Sequence, residues 1–286
     1  MSRLLVSEPW PARWVILLVV LFGAGCAESG PQIGPHVDDL TDENPLVRAM
    51  AAMALGKLGP DARRAVPALI STLREPGQNR VVRGAVVIGL ARIGEAAVPD
   101  LIEALKNPVP ETVNDAFLIN ASINKALGDI GEPAVPDLIA LLAHEEYGVR
   151  SSAVGALLHV GPDAEPAVPR LAEMLVNNDE SETLRMDVAG ALGRIGPNAK
   201  SAIPYLIEAL DDAASMTGAG GEAICYYTIE ALGKIGPDAK PAMPALENLQ
   251  CYQSQRVRTV ALVAMESISS DSVTTSIRTE RDRHPN

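Results

Sequence analysis

The chain has 286 residues, of which 47% are hydrophobic but only 3% aromatic, and a formal charge of −12 at pH 7. That acidity excludes counterion-driven nucleic-acid binding and adhesion to anionic lipid. Two Phe and two Trp, with Trp10 and Trp14 both near the N-terminus, also leave no aromatic platforms for stacking bases or sugars.

Residues 1–25 read as a secretory signal. Arg3 and Arg13 lie in the opening segment, Trp14 to Phe22 is an unbroken apolar run, and Gly23, Ala24 and Gly25 precede Cys26. The run is too short to span a bilayer comfortably. The ending Gly-Ala-Gly-Cys resembles a bacterial lipoprotein lipobox, although Gly23 stands where Leu is usual. The resemblance implies that Cys26 becomes the acylated first residue of an extracytoplasmic, membrane-anchored chain in the bacterial envelope; an uncleaved N-terminal anchor is the alternative. Cleavage removes two arginines and one glutamate, which takes the charge from −12 to −13. Residues 26–34 form a linker.

From residue 35 to 269 the chain repeats. Pro35, Pro67, Pro99, Pro136, Pro169, Pro204 and Pro244 each open a short apolar run. Leu58-Gly59, Ile93-Gly94, Ile130-Gly131, Val160-Gly161, Ile195-Gly196, Ile235-Gly236 and the degenerate Ile268-Ser269 each close a longer one. In the fifth unit Leu171, Met174 and Leu175 follow Pro169 at helical spacing, and Leu184, Val188, Ala191, Leu192 and Ile195 continue the period up to Gly196. Each unit is therefore a short helix A and a longer helix B, with the closing glycine expected as a left-handed cap and Pro197 expected to stop the helix. A two-helix unit of this size cannot bury its own apolar face, so about seven of them stack into an all-α solenoid. Residues 270–286 are polar, lack an apolar period and read as a disordered tail.

Aligned at their closing pairs, the B helices share three columns. Arg48, Arg83, Asn120, Arg150, Arg185, Cys225 and Arg258 form the first; Leu55, Leu90, Leu127, Leu157, Leu192, Leu232 and Met265, seven residues on, form a core ladder. The residue before each ladder member is Ala or Gly, as close helix approach demands. The segment Ala231 to Leu246 (ALGKIGPDAKPAMPAL) resembles HEAT-like repeats of the phycobilisome-lyase class. That resemblance implies a superhelix, an Asp/Arg ladder between units, and a family spanning scaffolds, lyase subunits and a di-iron hydroxylase branch that modifies a lysine-derived residue.

Chemistry has little to stand on. His144-Glu145 is the only His-Glu pair, and His36, His144, His159 and His284 are too few for a di-iron site, so no metal, cofactor or catalytic residue is assigned. His144 reads as a last-turn residue of helix A favoured by the helix dipole. Lys57, Arg92, Asp129, His159, Arg194 and Lys234, each just before a closing pair, form a mostly cationic row that fits either dipole capping or an acidic partner. The third and sixth units are longer than the rest, with the extra residues near Asn107 to Asp115 and Asp211 to Gly221. Met216 to Gly221 is Gly-rich but lacks the Lys-Ser/Thr of a phosphate loop.

These observations predict a scaffold that holds a protein or peptide on the concave surface of the B helices; an enzyme or enzyme accessory, bilin lyase-like or deoxyhypusine hydroxylase-like, is the alternative. Tyr226 and Tyr227 with Glu230 and Lys234 are the candidate docking residues, rimmed by the Asp211 to Gly221 insertion, with Tyr227 as the anchor in phase with Glu230 and Lys234. Cys225 and Cys251, each thirteen residues from a turn centred near Asp238, are the candidate disulfide in an oxidising compartment.

Overall fold

A computed structural model describes residues 33–107, 115–216 and 218–270. The signal, Cys26, most of the linker, the greater part of the first insertion and the tail lie outside the described residues. Fourteen α-helices form seven A/B pairs, with no strand among the described residues. The pairs are α1 (Ile33–Asp39) with α2 (Pro45–Lys57), α3 (Val66–Arg74) with α4 (Arg80–Ile93), and α5 (Val98–Lys106) with α6 (Ala116–Ile130). They continue as α7 (Val135–Leu141) with α8 (Tyr147–Val160), α9 (Val168–Val176) with α10 (Glu182–Ile195), α11 (Ile203–Ser215) with α12 (Ala219–Ile235), and α13 (Met243–Asn248) with α14 (Gln255–Ser269).

The opening prolines sit in the first turns of the A helices, where their missing N–H groups cost nothing. B helices start on side-chain caps where the sequence supplies them: Asn44, Asn79 and Ser181 accept from the N–H groups of Leu46, Val81 and Leu184. The closing glycines differ from the expected left-handed cap. Gly94, Gly131, Gly161, Gly196 and Gly236 have φ of 69° to 80° but ψ of −145° to −132°, the mirror image of the β region, which is open essentially to glycine alone. In each, the glycine N–H still donates to the ladder leucine four residues back. Nor does the following proline end helical structure. In the full-length linkers the chain runs on as a 3₁₀ helix, as in Gly196–Ala202 and Gly236–Ala242. The alanines three apart, Ala199 with Ala202 and Ala239 with Ala242, stack on one buried side as that helix requires.

The ladder leucines Leu55, Leu90, Leu127, Leu157, Leu192 and Leu232 are all 0% exposed. Met265 is only half-buried, on the last described helix of the stack. Close approach between B helices depends on a second small-residue column, immediately after the ladder. A Cβ on Gly56 would stand 2.7 Å from Gly89 Cα, and one on Gly193 would stand 3.1 Å from Ala231 Cα. Thus Gly56, Gly193 and Gly233, each just after a ladder leucine, seat against the residue before the ladder position in the next unit, while Gly128 seats against His159. Where the residue after the leucine is Gly (Gly56, Gly128, Gly193, Gly233), adjacent B helices pack closely. Where it is Ala91 or Leu158, the pairs α4–α6 and α8–α10 are looser.

The arginine column forms the polar half of the same joint. Arg150 Nη1 donates to the carbonyls of His144 and Glu145 in its own turn, at 2.9 and 2.8 Å, while Nη2 reaches Glu180 of the next unit at 2.8 Å. Arg48 likewise holds the Asp42 and Glu43 carbonyls and reaches Gln78 at 3.0 Å; Arg83 reaches Asp115 at 3.3 Å. Arg185 makes three contacts, with the Leu175 carbonyl, Asn178 and Asp212. Asn120 is too short to bridge, and its buried Oδ1 has no partner among the described residues. These joints are more buried than a surface ladder: the side chains of Arg150 and Glu180 are 18% and 9% exposed.

Candidate functional site

The B helices present one row after another on the side away from the A helices, and the rows differ sharply between the two ends of the stack. Thirteen residues before the closing glycine stand Leu46, Val81 and Leu118 in the first three units, then Gly148, Thr183 and Ala223. With Met50, Ile88 and Phe117, the first three form an exposed apolar surface on α2, α4 and α6, in which Met50 is 72% and Phe117 81% exposed. Such a stretch is not explained by the core, which is already complete behind it.

Between α4 and α6 this surface sinks into a groove of about 950 Å³, lined mostly by apolar atoms from Val87, Ile88 and Leu118. The groove opens where the seam residue is Ala91 rather than glycine. Its far wall carries Lys125 and His159. Lys125 holds Asp129 at 3.0 Å. The His159 imidazole is pushed below its ordinary range by burial and by Lys125, against the pull of Asp129, with Arg194 adding to the depression. At the other mouth Asp115 accepts from Arg83 and, at 2.9 Å, from the Gly77 N–H.

The middle of the B face is small and polar (Ser151, Ser152, Gly155, Gly190), with burial raising the Asp187 carboxyl above its usual range. At the far end a second groove, about 660 Å³, lies between α12 and α14 and is lined by Tyr226, Glu230, Arg256, Thr259 and Val263. Arg256 lies over the Tyr226 ring, 4.0 Å from its centre, and Glu230 pairs with Lys234 at 2.7 Å.

The sequence model for HEAT repeats matches residues 37–122 and 135–225. The chain belongs to the HEAT-repeat family. No curated protein matches it. Among solved structures, the HEAT units resemble an engineered protein, with 18% identity over 83% of this chain and 96% of the other and a TM-score of 0.42. They also resemble the phycocyanin lyase complex of CpcE and CpcF from Nostoc, with 22% identity over 59% and 98% and a TM-score of 0.47. Computationally designed armadillo repeat proteins for modular peptide recognition give 20% identity over 83% and 100%, with a TM-score of 0.47. The HEAT-repeat architecture is a scaffold suited to binding partners.

Within that HEAT scaffold the residues singled out by sequence are partly rearranged. Tyr226 and Tyr227 meet edge to face, 5.3 Å between centres. Tyr227 packs against the core, so Tyr226, not Tyr227, shares the groove with Glu230. The described residues of the Asp211 to Gly221 insertion form no projecting rim: residues 211–215 extend α11 and residues 219–221 begin α12. His144 lies in the turn after α7, not in its last turn, and its Nδ1 accepts from the Glu146 N–H at 3.1 Å. No group of three His, Cys, Asp or Glu side chains is placed to hold a metal among the described residues.

The disulfide expectation is not met, since Cys225 and Cys251 are free thiols, the first buried and the second exposed. The register argument took Cys251 to be on a helix opposite Cys225, but α13 ends at Asn248 and Cys251 closes a 3₁₀ turn, Leu249–Cys251. The Cys225 thiol neighbours Tyr252, just beyond that turn, rather than Cys251. Burial pushes the Cys225 thiol up to about 11. At pH 8 it is therefore almost wholly protonated, and iodoacetamide followed by peptide mapping should label Cys251 in the native chain but Cys225 only after denaturation. Comparable native labelling of both would contradict this placement.

Proposed function

We propose that this HEAT-repeat chain is a non-enzymatic scaffold, tethered outside the cytoplasm of a bacterium by an acylated Cys26, that holds a protein or peptide partner on its B-helix face. The single observation supporting it is the apolar surface from Leu46 to Leu118, exposed on α2, α4 and α6 while the core behind it is fully packed. A repeat stack places such side chains at fixed intervals, which suits an elongated partner better than a compact substrate. The cysteine that ends the apolar, small-residue signal supports the tether.

Two variants test the two halves separately. Cys26→Ala should leave an unprocessed precursor or release the protein from membranes, with loss of lipid labelling; unchanged migration and labelling would overturn the tether. Met50→Glu with Ile88→Glu, both on exposed positions, should retain the helical circular dichroism and lose co-purification of the partner from solubilised membranes. Recovery of the same partners in the same yield would place binding elsewhere.

A further inference from the structure

We infer that the groove between α4 and α6 receives an acidic peptide segment carrying apolar anchor residues, an inference that rests on the B-face reading above. The groove volume, about 950 Å³, lies within the range that accommodates several side chains, and its apolar walls at Val87, Ile88 and Leu118 call for aliphatic or aromatic anchors. Charge then selects among apolar peptides. The chain as a whole carries −12, yet cations gather around this groove: Lys57 and Arg92 stand at one position of the first two units, before Asp129 takes that position in the third, and Arg80 lines the groove itself.

The one carboxylate among the residues that line the groove, Asp115, and the nearby Asp129 are already engaged. Asp115 is held by Arg83 and the Gly77 N–H, and Asp129 by Lys125. Among the described residues no carboxylate lies within ion-pair distance of Lys57, Arg80 or Arg92. A ligand bringing carboxylates beside its apolar anchors would complement these exposed guanidinium and ammonium groups, and the acidic remainder of the surface would repel it from other faces. The recess lies between two helices, a shape a peptide enters and a bilayer surface does not.

The test is selection of a displayed random library of peptides about 16 residues long on the purified full chain, followed by fluorescence anisotropy of the resynthesised peptides. The selected peptides should be enriched in Asp and Glu beside Leu, Ile or Phe. Arg80→Glu with Arg92→Glu, and separately Ile88→Ser, should weaken binding about tenfold or more, and raised salt should weaken it further. Val263→Ser, in the α12–α14 groove, should leave it unchanged. All four substitutions are on the surface, and circular dichroism checks folding. No enriched peptide, no acidic bias, or indifference to the charge reversals or to Ile88→Ser would overturn the inference; so would binding of phosphatidylglycerol vesicles in place of peptides. If the cellular partner is lost with Met50→Glu and Ile88→Glu but retained with Arg80→Glu and Arg92→Glu, the acidic-peptide inference fails while the scaffold reading stands.

Discussion

Arg185→Met is expected to lower the unfolding free energy by about 2–4 kcal/mol, measured by urea denaturation. Arg185 is 4% exposed, and its guanidinium satisfies the Leu175 carbonyl at 2.8 Å, Asn178 at 2.7 Å and Asp212 at 2.8 Å. Met keeps the apolar stem but leaves the carbonyl of buried Leu175 without its donor, while the exposed Asn178 amide returns to water. Asp212, 40% exposed, returns to water, which keeps the loss below that of a wholly buried pair. Arg185→Lys should recover little, because an ammonium cannot address three acceptors in a planar fork. The contact to Asp212 joins units five and six, so the transition should also broaden as neighbours uncouple. A loss below about 1 kcal/mol would mean that the joint is solvated.

Gly128→Val is expected to cost about 3 kcal/mol or to prevent stacking of the third and fourth units. A Cβ at Gly128 would collide with the Cβ of His159 and stand 3.0 and 3.1 Å from its backbone carbon and Cα. Backbone cannot swing away as a flexible side chain would, so α6 and α8 must separate. Gly84→Ala is the control, because Gly84 lies within α4 with nothing inside 4 Å of an added Cβ. There the substitution should stabilise by about 0.5–1 kcal/mol through lower chain entropy. Equal effects at the two positions would show that the small-residue seam does not set the spacing of the B helices.

The repeat period, the A/B pairing and the core ladder were legible because they are local and recur: Pro67 to Gly94 states the same rule as Pro169 to Gly196. Half of the seam was legible, as the Ala or Gly before each leucine. Its other half escaped notice because Gly56 and Gly193 sit beside Ala91 and Leu158 in the same column, and only stacking reveals that the exceptions are where the stack loosens. The α4–α6 groove is a product of that loosening and could not be read from either helix alone. A signal for the apolar face did exist, since Leu46, Val81 and Leu118 occupy one register in three successive units without belonging to the core ladder. The Cys225–Cys251 pairing misled because it assumed an uninterrupted helix, whereas the short α13 and its 3₁₀ turn place Tyr252 against the thiol. Helical phase also put Tyr227 outward, but one step along an α-helix is 100°, and the packing of α12 turned Tyr226 to the groove instead.

The central claim, that the B-helix face is the binding surface, is most directly tested by site-specific photo-crosslinking in intact cells. A benzophenone amino acid at Ile88 or Phe117 on the B face is compared with one at Tyr205, exposed on the A helix α11. Discrete adducts from Ile88 and Phe117, and none from Tyr205, are predicted. Adducts from Tyr205 alone, or the same adducts from all three, would contradict it.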